Sequence, residues 1–171
     1  MSNYFEDLVI GETVEIGQTT FTREAIIDFA SKYDPQGFHL DDEAASKSLF
    51  GALCASGWHT AAVWLRHNID HRRRMSDIVE FRGERPAKWG PSPGFEKLKW
   101  LKPVYVGDTI RYTSRIVDKV PSRSRPTIGL IISENEGHNQ KGELVFCVTT
   151  KVFAERRVPG PAPEPKPEQK S

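Results

Sequence analysis

The feature that most constrains this chain is a largely apolar stretch near its middle, residues 56–66, which contains good helix formers and no proline. The apolar residues in it are Trp58, Ala61, Ala62, Val63, Trp64 and Leu65. They cover more than one face of a 3.6-residue period, which predicts a buried helix that a sheet wraps on several sides. Ser56 is a suitable N-cap for this helix, and Gly57 leaves its first free amides open to close approach. Those amides, at the positive end of the helix dipole, suit a developing oxyanion.

The size and charge of the chain limit both its fold and its partners. With 171 residues, of which 37% are hydrophobic, it is long enough for one domain with a real core and short for two. Its net charge of +1 gives no general electrostatic basis for binding nucleic acid or an anionic membrane. The N-terminus lacks a signal-peptide pattern, and no apolar run is long enough to span a bilayer. We therefore expect a cytoplasmic protein in which Cys54 and Cys147 are buried, reduced thiols.

The segments before the central stretch show both strand and helix patterns. Thr22 is predicted to cap the first helix, and Asp34-Pro35 to end it, because a residue before proline is disfavoured in the α region. Asp41 is a suitable cap for a second helix. The predicted elements are two β candidates at 14–16 and 19–21, a helix at 23–33, a constrained loop at 34–39 and a helix from 42 to roughly 48.

After the central helix the pattern changes from helix to strand. The chain turns polar beyond Leu65, which favours an exposed helix C-terminus, and β character begins at Ile78. The intervening loop at 85–94 is rich in Pro and Gly. One interpretation is that its Lys88 and Trp89 face a bound ligand, and the alternative is that Trp89 packs the loop on a neighbouring subunit. The predicted strands are residues 95–101, 109–120, 127–135 and 143–155. Together these elements predict an α+β fold in which a curved antiparallel sheet wraps a long central helix.

The domain is expected to end before a proline-rich tail. Residues 158–171 carry proline at nearly every second position and cannot join a sheet. They are predicted to form an extended appendage, which leaves residues 1–157 as one domain.

Two side chains in the predicted loop are candidates for acid–base chemistry. Asp34 and His39 are five residues apart across Pro35 and Gly37, so both can converge on one point and orient a water molecule. Shielding by neighbouring apolar side chains, such as Phe38, is expected to raise the carboxyl pKa toward that of an imidazole. From spacing alone the pattern is weak, because Asp before Pro is commonly a turn residue and a single His is commonly structural.

The polar segment after the central helix contains histidines and arginines that could belong to a metal site, a phosphate site or an exposed helix end. His67 and His71 are four residues apart, but no Glu follows His67 and no third ligand is evident, so we expect no metal site. We interpret the basic run at 72–74 as the exposed C-terminal end of the helix, where positive charges complement the helix dipole. The alternative is that Arg72 and Arg73 bind phosphates of a substrate.

The residues around Asp34 resemble the MaoC-like dehydratases, hot-dog proteins related to (R)-specific enoyl-CoA hydratases. The family pattern is an Asp, an Asn two residues later, then Pro, and a His five residues after the Asp, with an HG or similar pair at the start of the hot-dog helix. In this chain the resemblance is carried by residues 33–45, 50–51 and 55–58, and also by 5–8, 98–104 and 107–109. It spans nearly the whole chain outside residues 67–94 and the tail.

The resemblance implies a single hot-dog domain that hydrates a trans-2-enoyl-CoA to an (R)-3-hydroxyacyl-CoA, or the reverse, without a metal or cofactor. Asp34 and His39 match the catalytic pair, one taking a proton from water and one delivering a proton to C2. The Gly57 amide would stabilise the thioester oxyanion. At least a homodimer is also implied, with the pantetheine of the acyl-CoA in a tunnel at the subunit interface. The residues expected to contact the substrate are Ser56, Gln36, Phe38, Trp58, Arg72 and Arg73.

Three departures from the family pattern leave the substrate open. Gln36 stands where Asn is usual, Gly37 where Pro is usual, and Ser56 where many members have His. The longer amide can still support the loop, the glycine loosens it, and the serine leaves the oxyanion amide in place. The alternatives are a hot-dog thioesterase and a non-catalytic acyl-CoA binding protein. A nucleic-acid binder is disfavoured, because the basic run at 72–74 lacks interleaved aromatic residues.

Overall fold

The computed structural model describes residues 3–158 and 160 of the chain. Its elements in chain order are β1 (Thr13–Thr20), α1 (Arg23–Tyr33), α2 (Gly37–Leu40), α3 (Asp42–Ser46), α4 (Gly57–Phe81), β2 (Gly94–Trp100), β3 (Thr109–Pro121), β4 (Ile128–His138) and β5 (Leu144–Glu155). The strands form one antiparallel sheet in the order β1-β3-β4-β5-β2, and the core lies between this sheet and α4. The predicted α+β fold, a curved antiparallel sheet around a long helix, is confirmed.

The first helix, α1, has the bounds that the sequence predicts. Thr22 is its N-cap, and the Thr22 side chain accepts a hydrogen bond from the Ala25 amide at 3.2 Å. Ile26 and Ala30 are buried on one face of the helix. Asp34 is its C-cap, so the end of α1 carries a candidate catalytic carboxylate directly into the following turn.

The sheet holds the first turns of α4 through a buried hydrogen bond. Tyr112 lies on β3 and is fully buried, and its hydroxyl donates to the Thr60 carbonyl at 3.1 Å. Burial raises the pKa of Tyr112, which keeps the hydroxyl protonated and able to donate. Inward-facing residues of β5 such as Val148 pack in the same core. The start of the long helix is therefore fixed against the middle of the sheet.

The central helix is longer than the sequence analysis predicts. It contains 25 residues and ends at Phe81, so the prediction of β character from Ile78 is wrong. No Gly or Pro interrupts residues 58–81, and an ion pair between Arg66 and Asp70 spans one helical turn. The helix ends just before Gly83, whose φ of 76° no β-branched residue would adopt easily.

The prediction that the helix is buried on more than one face is also wrong for this chain. Trp58 and Leu65 are 53% and 51% exposed. The sheet covers one side of α4, where Thr60 and Asn68 are buried against Tyr112 and Asn135. His59 is buried against Phe29 of α1, and an apolar side of the helix is left uncovered. Apolar periodicity alone does not show which sides of a helix a sheet reaches, and here the sheet does not reach the side with Trp58 and Leu65.

Several smaller boundaries also differ from the predictions. The two β candidates around Gly17 are one strand, β1, with an irregularity between Glu15 and Gly17. The predicted loop at 34–39 overlaps the short helix α2, which ends at Leu40, and the next helix ends at Ser46. Both cysteines are free thiols, but only Cys54 is buried, since Cys147 is partly exposed on β5. The predicted tail lies outside the described residues except for Val158 and Gly160.

Candidate active site

Predicted site residues from α1, α2 and α4 line one cavity of about 530 Å³ beside the start of α4. α1 contributes its C-cap Asp34, α2 contributes His39, and the N-terminus of α4 contributes Gly57. The other predicted contacts in this cavity are Gln36, Phe38, Ser56 and Trp58. The cavity therefore brings together seven of the nine residues that the sequence analysis selects.

Asp34 accepts hydrogen bonds from two side chains. The Ser56 hydroxyl donates to Asp34 Oδ2 at 2.6 Å, and the Gln36 amide donates to Asp34 Oδ1 at 2.7 Å. Burial opposes ionisation of this carboxyl, but the hydrogen bonds from Ser56 and Gln36 and the nearby His39 outweigh it, so the pKa of Asp34 is lowered. The predicted rise in the Asp34 pKa is thus wrong, because these two donors and His39 stabilise the carboxylate more than burial destabilises it. Asp34 is a carboxylate at neutral pH.

His39 is buried and held by a backbone carbonyl. Its Nδ1 lies 2.7 Å from the carbonyl oxygen of Cys54, which can only accept, so Nδ1 carries the proton of the neutral ring. Its Nε2 faces Asp34 Oδ2 at 3.5 Å. Phe38 packs edge-on against the imidazole, with ring centroids 4.5 Å apart. The ring is therefore fixed with its unprotonated nitrogen toward the carboxylate.

The start of α4 adds a free backbone donor to the cavity. Ser56 is the N-cap, and its hydroxyl oxygen accepts from the Trp58 amide at 3.2 Å. The amide of Gly57, the first helical residue, donates to no acceptor in the described part of the chain. It lies at the positive end of a 25-residue helix. This amide is suited to stabilise an oxyanion that forms in the cavity.

A ring from β2 explains why the first helical residue is glycine. A Cβ added to Gly57 would lie 2.6 Å from ring atoms of Trp100, which is closer than real Cβ contacts. Trp100 also packs edge-on against Trp58, with ring centroids 5.1 Å apart. The close approach predicted at Gly57 is thus made by Trp100, which forms one wall of the cavity.

Arg72 and Arg73 lie away from this cavity within the chain. Arg72 is 15 residues after Gly57 on the same helix, which corresponds to about 22 Å along the helix axis. Arg73 is exposed and faces Asp70 at 3.9 Å. Their predicted contact with substrate phosphates remains a prediction.

Two groups in this site have roles that the sequence does not predict. The Cys54 carbonyl fixes the tautomer of His39, and a backbone acceptor of this kind leaves no trace in the residue types. Trp100 belongs to the segment 98–104 that carries part of the family resemblance, but nothing in its spacing indicates contact with Gly57.

The described residues include no helix that is both long and apolar enough to cross a membrane.

Comparisons with known proteins agree with this fold. The family model of the MaoC like domain matches residues 7–131 of the chain. The crystal structure of the MaoC-like dehydratase from Rhodospirillum rubrum has 34% sequence identity and a TM-score of 0.75, over 92% of this chain and 99% of that one. The 3-hydroxybutyryl-CoA dehydratase of Methylorubrum extorquens is 26% identical over 157 residues, which cover 89% of this chain and 88% of that protein. The uncharacterized protein YdeM of Bacillus subtilis (strain 168) is 27% identical over 151 residues, which cover 88% of this chain and 98% of that protein.

Proposed function

Because the chain belongs to the MaoC-like domain family, we propose that it is a hydro-lyase acting on a CoA thioester, converting a trans-2-enoyl group and water into an (R)-3-hydroxyacyl group or the reverse. The similar dehydratases from Rhodospirillum rubrum and Methylorubrum extorquens support a hydratase or dehydratase role at the level of the family. The observation that carries the proposal for this chain is one cavity containing Asp34, the Nε2 of His39 and the free amide of Gly57.

The carboxylate and the imidazole are suited to hold one water molecule between them. Asp34 Oδ2 and the unprotonated His39 Nε2 are both hydrogen-bond acceptors, and they lie 3.5 Å apart. A water beside both atoms can donate one hydrogen to each, which directs an oxygen lone pair away from them and toward the substrate. The lowered pKa of Asp34 keeps this acceptor ionised at neutral pH.

Hydration then proceeds by transfer of a single proton through His39. The water oxygen forms a bond to C3 while one of its O–H bonds breaks, and the proton moves to His39 Nε2. The C2–C3 π electrons shift so that negative charge develops on the thioester oxygen, where the Gly57 amide stabilises it. The imidazolium next returns the proton to C2, and dehydration is the reverse sequence.

Asp34 and the Cys54 carbonyl support His39 when it carries the extra proton. The imidazolium would have Nδ1–H donating to the Cys54 carbonyl and Nε2–H facing the Asp34 carboxylate. Because Asp34 remains ionised, it accepts hydrogen bonds but does not supply the proton for C2. Every step as proposed uses protein groups and water, with no metal or redox cofactor.

The proposed quaternary arrangement is at least a homodimer. The side of α4 that carries Trp58 and Leu65 is uncovered in the single chain, and the edge strand β2 exposes Phe95. A second copy packed on these residues would bury apolar surface, which favours association. The pantetheine of the substrate would then lie in a tunnel between the two chains.

This function can be tested by mixing the protein with a short or a branched trans-2-enoyl-CoA and measuring the absorbance of the enoyl thioester, which hydration removes. We expect turnover by the wild type, and a loss of at least a hundredfold in Asp34→Asn and His39→Ala. His138→Ala is a matched control, since His138 lies on β4 outside the cavity. Near-wild-type turnover in either cavity variant would contradict the assigned roles.

The thioesterase alternative shares the same water and the same oxyanion donor. Attack at C1 instead of C3 would release free thiol and leave the C2–C3 double bond intact. Parallel detection of free thiol therefore separates the two reactions. Tight binding of acyl-CoA without either signal would instead support a non-catalytic binding protein.

A further inference from the structure

A second cavity lies between the second half of α4 and the sheet. Its volume is about 230 Å³. α4 contributes His71, Arg72 and Met75 to its wall, and the strands β1, β3, β4 and β5 contribute the opposite side. Among the residues that the structure describes, none lines both this cavity and the catalytic one. The second cavity is therefore a separate space inside the chain.

Arg72 is a cation without an anionic partner in the wall of this cavity. On the same helix, Arg66 pairs with Asp70 at 2.6 Å and Arg74 donates to a backbone carbonyl of β1 at 3.1 Å. Within residues 3–158 and 160, no carboxylate or other hydrogen-bond acceptor contacts the Arg72 guanidinium. Burial lowers the pKa of Arg72 to about 10, so the group is still charged at neutral pH. Its N–H donors are thus available to an anion in the cavity.

The guanidinium is held beside the cavity by Trp89. Its central carbon lies 4.6 Å from the centroid of the Trp89 ring, and Trp89 lines the cavity. The ring has a fixed place, because Trp89 forms a backbone bridge with Ala154 of β5. The indole Nε1 is buried and has no hydrogen-bond partner in the described part of the chain. A charged donor and a neutral donor, both without an acceptor, therefore lie against each other in one wall.

The carboxylates that line the same cavity do not neutralise Arg72. Asp7 accepts hydrogen bonds from the Tyr4 amide at 3.1 Å and from the Arg157 guanidinium at 2.7 Å. Glu12 is exposed, so water and salt screen its charge. A partly buried cation that lacks a counter-ion is costly, and an anionic ligand would relieve this cost.

The rest of the wall favours an anion that carries an apolar chain. Leu8, Ile116 and Ile131 line the cavity and pack with Trp89 in a small hydrophobic cluster. An inorganic anion would leave this apolar surface without contact. An apolar cavity of about 150 Å³ holds benzene, so a volume of 230 Å³ accommodates a ligand of roughly eight non-hydrogen atoms, such as hexanoate.

We propose that this cavity is a second ligand site, which binds a short-chain carboxylate with its charged end on Arg72 and its chain on the apolar wall. The site shares no lining residue with the catalytic cavity among those described, so the proposal goes beyond the proposed function and does not depend on it. Arg72 would then bind a free carboxylate instead of the predicted substrate phosphates.

The four tryptophans of the chain provide a test by NMR of their indole N–H groups. Trp89 reports on the second cavity, Trp58 and Trp100 report on the catalytic cavity, and Trp64 lines neither. Single Trp→Phe variants assign the four signals of the nitrogen-15-labelled protein. On titration with hexanoate we expect a saturable shift of the Trp89 signal, with half-saturation at roughly 1 mM or below.

Two further probes separate the charge of the ligand from its chain. Hexanol keeps the chain without the charge, and sodium phosphate supplies an anion without a chain. At equal concentration and ionic strength, neither should shift the Trp89 signal as hexanoate does. An equal shift with hexanol or with phosphate would overturn the proposed carboxylate site. So would a hexanoate titration that moves only the signals of Trp58 and Trp100, or none up to about 10 mM.

Variants of Arg72 test the contact itself. Arg72→Met keeps an apolar stem on Trp89 and should weaken hexanoate binding at least tenfold. Arg72→Lys should lie between Arg72→Met and the wild type, because it keeps the charge but loses the planar fork. Arg66→Gln is the matched control on the same helix and should bind as the wild type does. Unchanged affinity in folded Arg72→Met, checked by far-UV circular dichroism, would overturn the assignment, and the wild-type titrations decide the proposal even if this variant does not fold.

Discussion

Ser56 connects the candidate catalytic carboxylate to the helix that carries the candidate oxyanion donor. Its hydroxyl donates to Asp34 Oδ2 at 2.6 Å and accepts from the Trp58 amide at 3.2 Å. Ser56 is 1% exposed, so both hydrogen bonds are shielded from water. One side chain thus orients Asp34 and caps α4 directly beside Gly57.

Loss of the Ser56 hydroxyl should move the acid limb of the pH profile. Activity requires ionised Asp34, so kcat/KM falls as pH decreases through the Asp34 pKa. Since the hydrogen bond from Ser56 lowers that pKa, Ser56→Ala should raise it and shift the acid limb to higher pH. We also expect kcat to fall about tenfold from loss of a hydrogen bond to a charged group. The measurement is the pH dependence of kcat/KM for an enoyl-CoA.

Two variants separate this effect from simple loss of a helix cap. Ser56→Thr keeps the hydroxyl and should retain the wild-type acid limb. Thr22→Ala removes the cap of α1 outside the cavity, and should cost about 1 kcal/mol of stability without moving the limb. An unchanged limb in Ser56→Ala would show that Ser56 does not control the ionisation of Asp34.

The tautomer of His39 is a separate prediction. The Cys54 carbonyl, 2.7 Å from Nδ1, fixes the neutral ring in the Nδ1–H form, which leaves Nε2 as the base. Nitrogen-15 NMR of the imidazole should show a protonated Nδ1 and an unprotonated Nε2 at a pH where the ring is neutral. His39→Asn can keep a donor near the Cys54 carbonyl but lacks Nε2, so it should fold normally and lose hydration by at least a hundredfold. The opposite tautomer would require a different base.

The fold could be predicted from sequence where local patterns and tertiary packing agree. Thr22 and Asp34-Pro35 define a helix whose structural bounds match the prediction. The end of α4 could not be predicted in this way, because polar residues after Leu65 are equally compatible with an exposed helix or its end. Nothing in the residue types distinguishes an uncovered apolar helix side from a buried one.

The site was partly predictable for a similar reason. Asp34, His39 and Gly57 were selected by a motif and by the start of a helix, and the structure places them in one cavity. The sign of the Asp34 pKa shift was not predictable from shielding, because it depends on donors from Ser56, 22 residues away, and from Gln36. Hydrogen-bond partners that are distant in sequence decide such shifts.

Gly57→Ala should damage the site through Trp100. The added Cβ would lie 2.6 Å from ring atoms of Trp100, so either the ring or the first turn of α4 must move. We expect a loss of about 1–3 kcal/mol in the free energy of unfolding and a fall in kcat, since the oxyanion donor is displaced. In a Trp100→Ala background the same substitution should cost much less stability. Equal stability costs in both backgrounds would contradict a steric cause.

His59 should make the fold sensitive to acid independently of catalysis. Its imidazole is 8% exposed, stacks on Phe29 with ring centroids 4.6 Å apart, and has no hydrogen-bond partner at Nδ1 within the described residues. Burial lowers the pKa of His59 to about 4 from an ordinary value of 6.5, with a small opposing effect from Asp28. The unfolded chain therefore binds a proton between these two pH values and the folded chain does not.

The sign of this linkage is that stability falls as pH decreases from about 6.5 toward 4. The maximum loss from His59 is on the order of 3 kcal/mol, because one pKa unit corresponds to about 1.4 kcal/mol. His59→Phe keeps an aromatic ring against Phe29 and removes the titration, so its stability should change less between pH 7 and pH 5 than that of the wild type. Urea unfolding at both pH values measures this difference, with His138→Gln as the control. A His59→Phe variant with the full wild-type acid loss would show that other groups cause the acid sensitivity.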